Sequence, residues 1–160
     1  MLVSGGKSIY GARIGILMLE AQFPRISGDM GNAETWPFPV LYKIVRGATP
    51  DRVVRKNAEG TLDRFIAAAE ELVSDGADAI TTNCGFLSIF QKELSAAVRV
   101  PVLTSSLMQV STVNTLLPDS KKAGILTISK STLSDAHLRA ANVPSDTPIG
   151  TTEDLSLIHI

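Results

Sequence analysis

The sequence predicts an α/β protein built on a parallel β-sheet. Short strand-forming runs recur at 13–19, 40–46, 78–82, 101–104 and 122–128. Segments of helical periodicity fall between most of them, and this alternation is that of βαβ units, whose right-handed crossovers lay consecutive strands parallel. With 160 residues, 44% of them hydrophobic and only 19% charged, the chain has the balance of a globular protein able to bury one good core.

Residues 1–12 read as a flexible leader. Residues 13–19 (RIGILML) are a near-continuous apolar run of strand length, as expected for a strand buried on both faces. The stretch 20–39 holds Pro24, Gly28, Gly31, Asn32, Pro37 and Pro39, breakers that forbid a regular helix. It is therefore a loop of a length that points to a functional role. Residues 40–46 (VLYKIVR) alternate and are rich in strand formers, giving the second strand.

Over 59–74, Leu62, Phe65, Ile66, Ala69, Leu72 and Val73 fall on one helix face, and Gly76 stops the helix. A short strand at 78–82 (DAITT), a helix at 86–98 and another short strand at 101–104 follow. Ser105 or Ser106 caps a helix that runs to about Leu117 and ends before Pro118. Residues 122–128 (KAGILTI) form a strand and 132–141 a helix. KAGILTI echoes RIGILML, either as a true internal repeat or because buried βαβ strands look alike.

Charge and composition exclude several classes. A net charge of −1, from 15 basic and 16 acidic residues, leaves no positive excess to neutralise a phosphate backbone, so nucleic acid is not an expected partner. The apolar run 14–19 is closed by Glu20 and falls far short of the roughly 20 residues that span a bilayer. The polar start MLVSGGKS is a poor secretory signal. One cysteine makes no internal disulfide, and no His/Cys cluster has zinc-ligand spacing. The expectation is a cytoplasmic protein with no metal, no cofactor and no membrane partner.

Thr81-Thr82-Asn83-Cys84-Gly85-Phe86 sits where a buried strand hands over to a helix, and in open parallel sheets ligands bind at such carboxyl ends. A thiol at a helix N-terminus is expected to have a lowered pKa and to be reactive. Gly85 lets backbone approach a substrate carboxylate, and Asn83 can orient polar groups. The competing reading is that Cys84 is a small buried hydrophobe.

Three segments, FPRISGDMGNAETWPFPVLYKIVRGA (23–48), ADAITTNCGFLSIFQ (77–91) and KKAGILTISKSTLSDAHLRAANVP (121–144), resemble the aspartate/glutamate racemase superfamily, in particular its uncharacterised branch. The resemblance implies two flavodoxin-like lobes, each a parallel sheet with helices on both faces, related by pseudo-symmetry around a site with one cysteine from each. On that basis 13–118 is the first lobe and 119–150 the opening of a second. Cys84 is then the first-lobe thiol of a cofactor-independent racemase or isomerase of a small carboxylate, working by two-thiol proton transfer. Hydantoin racemisation, maleate isomerisation and non-catalytic binding on the same fold are the alternatives. The expected partners are the small carboxylate and, at full length, a second copy of the chain.

The same resemblance implies that the backbone at Gly85 and Phe86 holds the substrate carboxylate, as an oxyanion site would. It implies that Thr127 and Ser129 offer hydroxyls to the substrate, though both also suit helix caps. Asp29 and Asn32 lie where the family keeps substrate contacts, in a loop that either covers the site or is a solvated turn. Arg25 is a surface arginine or a partner for a second carboxylate; Trp36, Phe38 and Tyr42 are sheet-packing or lid aromatics.

Two features depart from the family. Gly85-Phe86 stands where many amino-acid racemases have Asn-Thr after the cysteine, and the chain holds no second thiol, so a racemase fragment of this kind is expected to be inactive alone. The last residues, LSLIHI, read either as a non-native tail over 151–160 or as a short apolar strand.

Overall fold

In the computed structural model, residues 5–152 are described; the first four residues of the leader and 153–160 of the tail lie outside them. Among the described residues there are six strands: β1 (Ile14–Leu19), β2 (Val40–Val45), β3 (Ala79–Thr82), β4 (Val102–Leu103), β5 (Ile125–Thr127) and β6 (Ile149–Thr151). Four α-helices join them: α1 (Leu62–Asp75), α2 (Gln91–Ala97), α3 (Gln109–Leu116) and α4 (Asp135–Ala140).

The first four strands form one sheet in the order β2-β1-β3-β4, every pair parallel. This is the expected parallel α/β class, in the flavodoxin-like strand order. β1 lies at its centre, with Ile16 and Leu17 fully buried, which is why the sequence there is apolar at nearly every position. The register runs Ile14↔Ala79 through Leu17↔Thr82 toward β3, and Ile14↔Val40 through Leu19↔Val45 toward β2. β1 therefore feeds β2 on one side while β3 lies on the other, and the chain reverses its order of addition there. That reversal opens a crevice at the carboxyl ends of β1 and β3.

α1 covers the sheet through Phe65, Ala68, Ala69 and Leu72. Its approach to β1 is close: a Cβ at Gly15 would stand 3.0 Å from Leu72 Cδ1 and 3.2 Å from the Ala77 Cβ. Gly76, at φ 133°, ends the helix with its N–H on the Leu72 carbonyl. The leader docks against this end, where Ile9 N donates to Asp75 O and Lys7 pairs with Asp78.

The helix expected over 86–98 is two segments, a 3-10 helix at Gly85–Phe90 and then α2. Tertiary packing accounts for the tighter first part. Phe86, Leu87 and Ser88 are all buried, and Ser88 Oγ donates to the His137 carbonyl of α4 at 3.1 Å. The loop 20–39 holds no α-helix, as its breakers require, only a 3-10 turn at Ala33–Thr35.

β5 pairs in parallel with β6, in a second sheet of two strands apart from the first. β6 and a π-helical turn at Asp51–Arg55 have no counterpart in the sequence reading. No helix among the described residues is long and apolar enough to cross a membrane.

Candidate active site

A cavity of about 680 Å³ opens at the carboxyl ends of the central strands and extends across to β5. Cys84 lies in its wall, one residue beyond Asn83 and two beyond the end of β3. Its backbone is extended, at φ −139° and ψ 112°, and it precedes the first turn of the 3-10 helix. Thr82 fixes the turn: its Oγ1 donates to the Thr104 carbonyl at 2.7 Å and accepts from the Cys84 N–H at 3.3 Å. The next strand is fixed in turn by Gln91, whose Oε1 accepts from Thr104 N and Oγ1 while Nε2 donates to Val102 O.

Asn83 ties the two central strands together where they end. Its backbone N–H donates to Leu17 O at 3.1 Å, and its side-chain Oδ1 accepts from Leu19 N at 2.9 Å. Gly85 sits against the following turn, where an added Cβ would lie 3.1 Å from Ser105 Oγ. Ser105 Oγ also accepts from Leu107 N, capping the turn that leads into α3.

The thiol is not activated as the sequence reading expects. Burial pushes the Cys84 pKa up to about 11, and the backbone N–H of Phe86 offsets this only in part. The correction has a physical cause. The segments after β4 and around β5 line the same cavity and leave the sulfur only partly exposed to water, while the helix behind it starts as 3-10 turns and supplies little charge stabilisation.

Of the residues expected at the site, Asn83, Cys84, Gly85, Phe86 and Thr127 line the cavity together. Ser129 does not; it is buried, with its hydroxyl 3.2 Å from Ser131 Oγ. Asp29 and Asn32 are also outside the lining and work within the loop. Asp29 pairs with Arg25 at 2.7 Å, and Asn32 Nδ2 donates to the Arg25 carbonyl at 2.9 Å while its Oδ1 caps the Ala33–Thr35 turn. Trp36 and Tyr42 bond to each other and to the Met30 carbonyl, pinning the loop against β2.

Arg25, Ser105, Ser106 and Gln109 line the cavity as well. The last three follow β4 as Cys84 follows β3, and that shared position after adjacent parallel strands is the signal that could have found them. His137 lies behind the cavity wall, fully buried, with its ring 5.2 Å from that of Phe86 in an edge-on contact. Ser134 Oγ is 2.8 Å from its Nδ1.

No protein-family profile matches the chain. Curated relatives do. The chain is 26% identical over 128 residues to a dimethylsulfoniopropionate lyase of Durusdinium sp. clade D, across 79% of this chain and 42% of the relative. It is 30% identical over 101 residues to dimethylsulfoniopropionate lyase 7 of Emiliania huxleyi, across 62% of this chain and 30% of that protein. With dimethylsulfoniopropionate lyase 2 of the same organism it shares 27% over 143 residues, across 81% and 39%. The chain thus spans well under half the length of these relatives.

Among solved structures it is similar to an aspartate racemase homologue from Pyrococcus horikoshii, with a TM-score of 0.48, 16% identity, and coverage of 89% of this chain and 66% of the other. An aspartate racemase from Picrophilus torridus gives a TM-score of 0.48 at 18% identity, covering 86% and 62%. All of these relatives and neighbours are named as enzymes or homologues of enzymes. The expectation of a two-thiol racemase or isomerase, with its stated alternatives, is corrected by the curated relatives, which are named lyases.

Proposed function

We propose that the cavity around Cys84 belongs to a carbon–sulfur lyase acting on a small zwitterion with a carboxylate and a β-sulfonium, of the dimethylsulfoniopropionate type. The observation that supports it most is a partly buried thiol of raised pKa in the wall of a largely apolar cavity, in a chain whose sequence relatives are named lyases.

The chemistry needs one base on one face of the substrate. The Cys84 thiolate takes a proton from the carbon α to the carboxylate, forming S–H as C–H breaks. The released C–H electron pair becomes the Cα=Cβ double bond, the Cβ–S bond breaks, and dimethyl sulfide leaves with the Cβ–S bonding pair as its lone pair. Acrylate remains, and the thiol returns its proton to solvent. Atoms and charge balance without an oxidant or a second base.

A thiol with a pKa near 11 is scarcely ionised at neutral pH, yet its thiolate is a strong base. A sulfonium brought beside it favours the charged form, so the substrate itself helps to generate the base. Leu19, Val54, Leu107 and Val110 line the cavity and suit the two S-methyl groups.

The test is to incubate the protein with dimethylsulfoniopropionate and follow acrylate vinyl protons by NMR together with dimethyl sulfide in the headspace. Equal amounts of both from the wild type and neither from Cys84→Ser is the expected result. Undiminished production by Cys84→Ser, or no production by the wild type across the alkaline range, overturns the proposal.

A further inference from the structure

Within the loop 20–39, one cation is held in place and only half satisfied. The Arg25 side chain is 15% exposed and lines the cavity that holds Cys84. Asp29 engages it through one nitrogen, Nη1 to Oδ1 at 2.7 Å, and the same oxygen accepts the Gly31 N–H at 2.7 Å. The guanidinium carbon sits 4.4 Å from the centre of the Phe23 ring. Nη2 is buried and has no hydrogen-bond partner among the described residues.

The loop is shaped around this side chain. A Cβ at Gly31 would stand 2.5 Å from Arg25 Cδ and 2.6 Å from Nε, so only glycine leaves room for it. Asn32 Nδ2 holds the Arg25 carbonyl, and Thr35 Oγ1 donates to the Asp29 carbonyl at 2.7 Å. A guanidinium pairs best through two parallel N–H donors, and burying one of its N–H groups unpaired is costly. A side chain that lines the cavity with Nη1 fixed and the buried Nη2 left without a partner is suited to an oxygen brought by a ligand.

We infer that Arg25 is the anchor for the substrate's carboxylate, with Asp29, Phe23 and Gly31 positioning it. The inference deepens the lyase reading and rests on it for the identity of the substrate. The anchored carboxylate directs the substrate within the cavity, and its charge is neutralised as the α-proton leaves. Asp29 is thus a positioning residue, which accounts for its place outside the cavity lining.

Binding of a carboxylate that cannot react separates this claim from the lyase chemistry. Propionate and its uncharged analogue propionamide are titrated into the 160-residue protein and followed by NMR shift changes. Arg25→Gln should weaken propionate at least about tenfold, equivalent to about 1.4 kcal/mol, leave propionamide unchanged, and be restored in part by added guanidinium. Gly31→Ala, which keeps the charge but displaces the side chain, should weaken propionate as well and serves if Arg25→Gln does not fold. Propionate binding equal to wild type in both variants, or no saturable binding by the wild type, overturns the anchor. Arg25-dependent propionate binding with dimethylsulfoniopropionate left intact would instead sink the lyase reading alone.

Discussion

Asn83 Oδ1 accepts the Leu19 N–H at 2.9 Å, so a side chain one residue past the end of β3 closes the ladder that β1 and β3 no longer share through their backbones. This bond sets the direction in which the chain leaves β3 and hence where Cys84 points. Asn83→Leu leaves the Leu19 N–H without its partner and should cost about 1–3 kcal/mol of stability, measured by urea denaturation. Asn83→Asp keeps the acceptor and should retain most of that stability, while its charge raises the thiol pKa further.

The thiol itself gives a pH signature. Its alkylation by iodoacetamide should keep rising through pH 9.0 toward about 11, where the folded group titrates. Because the folded pKa lies above the unfolded value, the folded state holds the proton more tightly. The associated stability is complete below pH 9.0 and is lost as pH rises toward about 11. Cys84→Ala should remove this alkaline slope; an alkylation plateau below pH 9.0 would contradict the burial argument.

Gly85 and Ser105 share a tight contact across adjacent strand ends. In Gly85→Ala the new methyl would lie 3.1 Å from Ser105 Oγ and disturb the cap on Leu107 N. A loss of roughly 0.5–2 kcal/mol is expected, the range for a damaged cap. In the double variant with Ser105→Ala the two costs should be less than additive, since the second change removes the group that the first displaces. Full additivity in denaturation would show that the two sites do not touch.

His137 carries the opposite pH dependence. Burial lowers its pKa from 6.5, so its contribution to stability is present above pH 6.5 and is lost as pH falls through the folded value. Replacement by Phe, which keeps a ring against Phe86, should flatten that acid slope in thermal melts. An unchanged slope would assign it to carboxylates instead.

What the sequence carried and what it did not divide along physical lines. β1 was legible because burial on both faces leaves an apolar run, and α1 because its one buried face leaves a period. The position of the cavity was legible through the polar Thr-Asn-Cys-Gly turn after a buried strand. The sign of the Cys84 pKa shift was not, because it depends on segments some 20 to 40 residues further along the chain that line the same cavity and partly bury the thiol. Arg25 was legible as a surface arginine or a partner for a second carboxylate; the features that hold it, Asp29 and Gly31, gain meaning once the loop is folded. β6, three residues between Pro148 and Thr152 with Gly150 at its centre, is too short to leave a strand pattern.

The central claim is that the Cys84 thiolate removes the α-proton in an elimination. It is tested most directly by following dimethyl sulfide release from dimethylsulfoniopropionate carrying deuterium at both α positions, beside the unlabelled compound, with wild type and Cys84→Ser. The account predicts slower release from the deuterated substrate by the wild type, the label lost from the acrylate α-carbon in part, and no release by Cys84→Ser. Equal rates for the two substrates together with release by Cys84→Ser would contradict it.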